Sequence, residues 1–475
     1  MTAPAPFSES LSREIARRAH ALRFDRLPVE AVTKVKVAFL DLLSCAYESL
    51  DLPPSRQAID IASRGQGCAG VIGTSLRVTA SEAAFVNAVL SHGLVREDMH
   101  TGSVSHLGVV IFPALLALSH RASHRASHRK TVSGRDFIRS AICGYETGAA
   151  IGRAAMDRET VRRFRPTGIT GPLGAAIGGS LLLGLSEDAT VSALGLAANT
   201  TVGLNEWPAS GADEMFFHVG FAARNAVTSV ELAELGAYTS ETALDGAGGL
   251  FAALGKRELV SEVKAFVEGQ PLEILSVYHK PAPACNYAQT ACQVARSLAV
   301  PLAVEDRFEA SEIEGITVKT SSSALAYPGC NATGPFERIL QAKMSIQYCV
   351  AATLVRGAIE EANYRLLRDP EVLRLIGVTA LEEDPEFTRA YPGAQGTEIS
   401  LRMRDGRTLR RRMHDLVPAT VPEIRARFRP ACERVLGIAA TDAIEAAVEG
   451  LEDLEDVSVL GTLLGKKEDE QSAGR

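Results

Sequence analysis

The chain has 475 residues, 46% of them hydrophobic, with 50 basic against 57 acidic side chains and a formal net charge of -7. That length supports one or two sizeable cores able to enclose a pocket, and the interspersed, slightly acidic charge excludes a surface built to collect nucleic acid phosphates. The first twenty residues lack the apolar core of a signal peptide and no stretch reaches the roughly 18 apolar residues of a membrane span, so no membrane association and a cytoplasmic location are expected.

In chain order, the helical period dominates from about Ser8 to Leu254, in the segments Pro28 to Tyr47, Ala80 to Leu94, Leu107 to Ser119 and Gly134 to Met156. Gly171 to Leu185 and Val219 to Gly236 are so rich in small residues that they read as the centre of a helical bundle. Ser119 to Arg129 is a tandem SHRA repeat whose His120, His124 and His128 would share one helix face at a spacing suited to a metal. A repeat expansion lengthening an exposed helix or loop is the better reading there, because no carboxylate stands nearby in sequence. The eight cysteines form no CxxC pair and read as reduced thiols, with neither a disulfide framework nor structural zinc expected.

After Gln270 the character changes. Ile313 to Thr320 reads as a strand, and Thr397 to Met413 as a hairpin turning at Asp405-Gly406. Between them Ala342 to Ala358 and Pro370 to Gly377 read as helices, and Val421 to Leu436 and Thr441 to Leu464 are helical again. The expected fold is mainly α. An all-helical domain over 1–270 is followed by an α+β domain over 271–420, and C-terminal helices over 421–475 return to the first domain.

Four polar clusters lie among these apolar elements. Ser91 to Gly108 carries His92, Arg96, Glu97, Asp98, His100 and His106, enough for acid–base work near neutral pH and equally consistent with a solvated, capping loop. Arg162 to Thr170 offers Arg165 to an anion ahead of a helix begun by Pro166, or is an ordinary basic loop. Its glycines form no dinucleotide fingerprint. Asn205 to Arg224 holds the one tryptophan, Trp207, and His218, which read alone is a helix cap or a core histidine. Tyr278 to Tyr287 places Lys280 at the domain junction, where it faces either an anionic ligand or solvent.

These clusters, in this order, make the chain resemble the MmgE/PrpD family across nearly its whole length. AFVNAVLSHGLVREDMHTGSVSHLG, Ala84 to Gly108, is similar to the family's AFVNGxLxHxLDFDDTHxxxxxHPS, with Asn87, His92, Asp98, His100 and His106 on the pattern. GYETGAAIGRA resembles its GYE segment and FRPTGITGPLGAA its FHPT segment; MFFHVGFAA stands for KxxHxGxAA, KPAPAC for KPYPxC and QAKMSIQYCVAATL for its QAKFSIPY helix. The resemblance implies a large all-helical domain with an inserted α+β lid, a site in the cleft between them, a homodimer, and dehydratase, decarboxylase or epimerase chemistry. Five family positions lined by active-site Asp, Thr, Lys, His and Lys fall here on Val95, Met99, Met215, Arg165 and Lys280, while the pattern's later histidine is His106.

From the retained groups, His106 is expected to act as base or acid beside a carboxylate that Lys280 and Arg165 hold, with Asp98, His100 or Tyr287 as the proton-carrying partner. His218, Tyr287 and Asn87 are expected around the substrate. No metal or organic cofactor is required. The expected function is a dehydratase-like lyase acting on a small organic acid less charged than a tricarboxylate. Its rivals are an epimerase of a dicarboxylate such as an iminodisuccinate-like acid, and a non-catalytic metabolite-binding relative.

Overall fold

The computed structural model describes residues 9–124, 130–201, 203–300 and 307–466. Helices Gly134–Ala155 and Pro166–Leu182 form the centre of the first half and share its most extensive helix–helix contact. Glycine makes this contact possible: a Cβ on Gly174 would lie 2.4 Å from the carbonyl oxygen of Gly144. Gly108–His124 and Glu214–Glu234 pack against Pro166–Leu182, and Ala80–His92 lies against both of them. Thr79 caps Ala80–His92 by accepting from the N–H of Glu82, and Ser133 caps Gly134–Ala155 in the same way through Asp136.

The fold is mainly helical as expected, with two departures in the first half. Strands β1 (Ala69–Gly70) and β2 (Arg77–Val78) pair with each other, and β3 (Met99–His100) pairs antiparallel with β4 (Val277–Tyr278). Two-residue strands are too short to show an alternating pattern, so composition reads straight through them.

The sheet-bearing part has the order β6-β5-β7-β8, with β5 Ile313–Thr320, β6 Thr379–Glu383, β7 Thr397–Met403 and β8 Thr408–Met413. Strand β6 runs parallel to β5 at the edge and its sequence, TALEE, lacks an apolar face, which hides it from periodicity. The segment Ala342 to Ala358 is two helices, broken at Ser345, whose hydroxyl caps the second by accepting from the N–H of Tyr348. Thr441 to Leu464 is likewise interrupted, because Ile438–Glu449 ends at Gly450 and only short turns follow.

Helix Val421–Leu436 packs on Val29–Ser49, so the C-terminal chain returns to the helical part. The buried carboxylate of Asp41 fixes that contact. It accepts from Arg427 and lies 2.9 Å from Nδ1 of His279, while Arg427 also donates to the carbonyl of Lys280 at 3.0 Å. Of the SHRA histidines, His120 is buried and its Nδ1 accepts from the N–H of Gly70, His124 lies against the carbonyl of His120, and His128 is outside the described residues.

Candidate active site

The connection between helices Ala80–His92 and Gly108–His124 is almost wholly buried, which a 15-residue polar segment tolerates only if its charges find partners. Glu97 supplies the hub. Its Oε1 lies 2.5 Å from Nδ1 of His92 and 2.9 Å from Nδ1 of His106, and the two rings stand 5.1 Å apart. Nδ1 of His106 also faces the carbonyl of Asp98 at 3.0 Å. A carbonyl only accepts, so Nδ1 carries the proton and Nε2 presents the lone pair. Nε2 of His92 lies 2.9 Å from Nη2 of Arg165, which only donates, so His92 is the same tautomer.

Burial pushes His106 down to about 3 and lowers His92 as well, so both rings are neutral bases above mildly acidic pH. Burial by itself would raise Glu97. The imidazole groups of His92 and His106 outweigh it and hold the carboxyl well below the usual range.

Two cations complete the cluster. Arg165 precedes Pro166, is held through its N–H to the carbonyl of Gly203, and lies 5.2 Å over the ring of Trp207. The guanidinium is buried and finds no carboxylate within ion-pair distance among the described residues, and its Nε has no partner. Lys280 is fully buried and donates to the carbonyl of Val95; burial draws its ammonium down to about 8, against the pull of Glu97. The β3–β4 pairing delivers it, ending two residues before Lys280. Lys343 donates to the adjacent carbonyl, that of Leu94, and pairs with Glu361 at 2.7 Å.

Of the residues expected from sequence, His106, Lys280 and Arg165 thus share one buried cluster. His218 flanks it on helix Glu214–Glu234, with Nδ1 unpartnered and the ring pushed down to about 4 by burial and then by Arg165. The carboxyl of Asp98 instead accepts from Tyr145 at 2.8 Å, and burial lifts it to about 7. Both ring nitrogens of His100 are engaged, by Ser103 at 2.8 Å and Glu273 at 3.1 Å. Asn87 spends its amide on backbone, accepting from Ile72 N–H and donating to the Gly70 carbonyl. Tyr287 turns instead to two other tyrosines, with its hydroxyl 3.1 Å from that of Tyr391 and its ring 5.3 Å from that of Tyr327.

His92 and Glu97 stand in the first polar cluster of the sequence, but neither they nor Lys343 have a role of their own in the sequence-based assignment. A signal existed for Glu97, since it stands where LDFDD has its second Asp. His92, Glu97 and His106 bring ligand atoms within 4.8 Å of one another, a set able to hold a divalent ion. Arg165 and Lys280 already place two buried positive charges against one carboxylate there, so an incoming anion is favoured over a further cation.

Fold and cluster together set two imidazoles, one carboxylate and two cations in the interior of a mainly helical protein. The chain belongs to the MmgE/PrpD family: the model of the MmgE/PrpD N-terminal domain matches residues 13–262 and that of the C-terminal domain residues 282–453. The second match runs through the helices expected to form a separate C-terminal segment from 421.

The chain is 28% identical over 490 residues to the cis-aconitate decarboxylase-like protein oryM of Aspergillus oryzae, covering 96% of this chain and 97% of that one. It is 27% identical over 403 residues to cis-aconitate decarboxylase of Mus musculus, covering 82% and 79%. To the 2-methylcitrate dehydratase-like protein oryR of Aspergillus oryzae it is 24% identical over 432 residues, covering 83% and 82%. At family level this supports a lyase-type enzyme. No helix among the described residues is long and apolar enough to cross a membrane.

Proposed function

We propose that this chain is a cofactor-independent lyase, dehydratase-like, that removes a proton from the carbon next to a carboxylate of a small organic acid. The observation that carries the reading is the pair of buried cations beside the two imidazoles: Arg165 bonds Nε2 of His92 and has no carboxylate within ion-pair distance among the described residues, and Lys280 donates to the carbonyl of Val95. A buried guanidinium without an ion-pair partner is costly, and a substrate carboxylate supplies the missing charge. His106 takes the proton, its Nδ1–H fixed by the Asp98 carbonyl beside Glu97. Arg165 and Lys280 stabilise the negative charge that builds on the carboxylate. Lys280, drawn down to about 8, is also a group able to return a proton to a departing hydroxyl.

Loss of carbon dioxide is the second reading, favoured by the names of the decarboxylase relatives and by the same carbanion-like species. Incubation with carboxylic acids in deuterated water, followed by proton NMR and mass, tests both. Loss of water with His106-dependent exchange supports the proposal, loss of carbon dioxide replaces it with decarboxylation, and an unchanged skeleton carrying deuterium replaces it with epimerisation. Binding without exchange or product for any acid would leave only a metabolite-binding role.

A further inference from the structure

Cys285 and Cys330 face each other in the interior with their Sγ atoms 3.6 Å apart, both as free thiols. One short segment fixes both backbones. The N–H of Cys285 donates to the carbonyl of Lys343 at 2.8 Å, and the carbonyl of Cys330 accepts from the N–H of Ile346 at 3.0 Å, on either side of the helix break at Ser345. A disulfide needs the two sulfurs only about 1.5 Å closer, at roughly 2.05 Å.

The two thiols are not equivalent. Cys285 closes the loop that begins with Lys280, and the charges of Lys280 and Arg165 reach its sulfur. The hydrogen bond from Cys330, then the N–H of Tyr287 and those two cations, hold Cys285 below the ordinary thiol value against burial, while burial pushes Cys330 well above it. Cys330 is therefore the donor and Cys285 the thiolate. Cys285 also keeps 6% of its surface exposed, where Cys330 keeps none.

Gln289 braces the loop between Lys280 and Cys285. Its Oε1 accepts from the N–H of Ala282 at 2.9 Å, and its Nε2 lies 2.9 Å from the carbonyl of Ala284 and 3.0 Å from that of Cys285. A bond made at Cys285 thus ties down the segment that presents Lys280.

We propose that Cys285 and Cys330 form a reversible oxidation site, at which hydrogen peroxide joins the Lys280 loop to the turn of Cys330 through a disulfide. The Cys285 thiolate attacks one peroxide oxygen; the O–O bond breaks, the sulfur gives up two electrons, and a sulfenic acid and hydroxide result. Cys330 then attacks that sulfur. The S–S bond forms, the S–O bond breaks, and the departing hydroxide leaves as water with the proton of the Cys330 thiol. A dithiol restores both thiols by exchange and is itself oxidised.

The full-length, fully reduced protein is treated with hydrogen peroxide, the cysteines still free are alkylated at intervals, and the products are mapped by mass spectrometry. Cys68 is the internal control. It is the one cysteine that is not buried, so exposure alone would make it react first, although what burial it has raises its pKa. The expected result is a peptide pair linked through Cys285 and Cys330, lighter by two hydrogens, that forms about tenfold or more faster than Cys68 is oxidised and disappears with dithiothreitol. In Cys330→Ser the reaction should stop at a sulfenic acid on Cys285 that dimedone traps, whereas Cys285→Ser should leave Cys330 unreacted. The race between Cys285 and Cys68 is run in the unsubstituted chain, so it stands if either variant misfolds. Oxidation of Cys68 ahead of Cys285, or linkage of any other pair in place of these two, would overturn the proposal. The readout is covalent and holds whether or not the chain turns over an acid.

Discussion

Lys343 and Lys280 donate to consecutive backbone carbonyls, those of Leu94 and Val95. Two buried ammonium groups reaching in from the sheet-bearing half therefore clamp the two peptide units on either side of Val95 in the helical half. They do so where the backbone is least comfortable, because Val95 has φ 56 and Val104, at the far end of the same turn, φ 52. For a β-branched residue such a conformation costs about 1–3 kcal/mol, which charge-assisted hydrogen bonds offset. The turn so held carries Glu97, and through it both imidazoles.

Lys343→Met should therefore be destabilising beyond a lost contact, since it strands the carboxylate of Glu361 in a buried place. Breaking such a pair costs about 3–5 kcal/mol. Guanidinium chloride unfolding should show a midpoint lowered accordingly at unchanged slope, and Lys343→Met with Glu361→Leu should recover much of the loss. A midpoint like that of the unsubstituted chain would mean that the clamp contributes nothing to stability.

Glu97→Gln retains shape and removes the charge that both Nδ1–H groups share. Glu97 is a positioning residue, so exchange of substrate deuterium should fall about 10² or more while KM changes little. Nitrogen-15 NMR of the imidazoles should show His92 losing its single tautomer. Unchanged imidazole signals beside a reduced rate would point to a purely structural role.

The ammonium of Lys280 sets the alkaline limb. With its folded value drawn down to about 8 from 10.5, turnover should decline as pH rises through about 8, and Lys280→Met should abolish that limb together with most of the activity. Stability moves the other way. Between about 8 and 10.5 the unfolded chain binds more protons at this group than the folded one, so its burial penalty is relieved and stability rises with pH. His106, at about 3, should give no acid limb near neutrality. Activity that persisted undiminished to pH 10 would remove Lys280 as a required cation.

Much of the helical half was legible before any coordinates. Segments such as Gly134–Ala155 and Val421–Leu436 announce themselves by a period of 3.6 and by caps, which are local properties. So was the hairpin at Asp405-Gly406, because a turn signal sits between two alternating runs. The edge strand β6 and the break at Ser345 were not, since one depends on a neighbour 63 residues away at its first register pair, Ile316 with Thr379, and the other on a single cap.

The site divides in the same way. Sequence by itself determined which groups were available: His106, Lys280 and Arg165 stood out as polar residues among small and apolar ones, and the ordered motifs set the family. Only tertiary structure decided which of them meet. Asp98 and His100 are neighbours of Glu97 in the chain, yet their side chains turn to Tyr145, Ser103 and Glu273, while Glu97 meets His92 and His106. Side-chain direction in a buried turn follows from which remote helix offers a partner for each desolvated polar group, and that pairing spans separations no local pattern records.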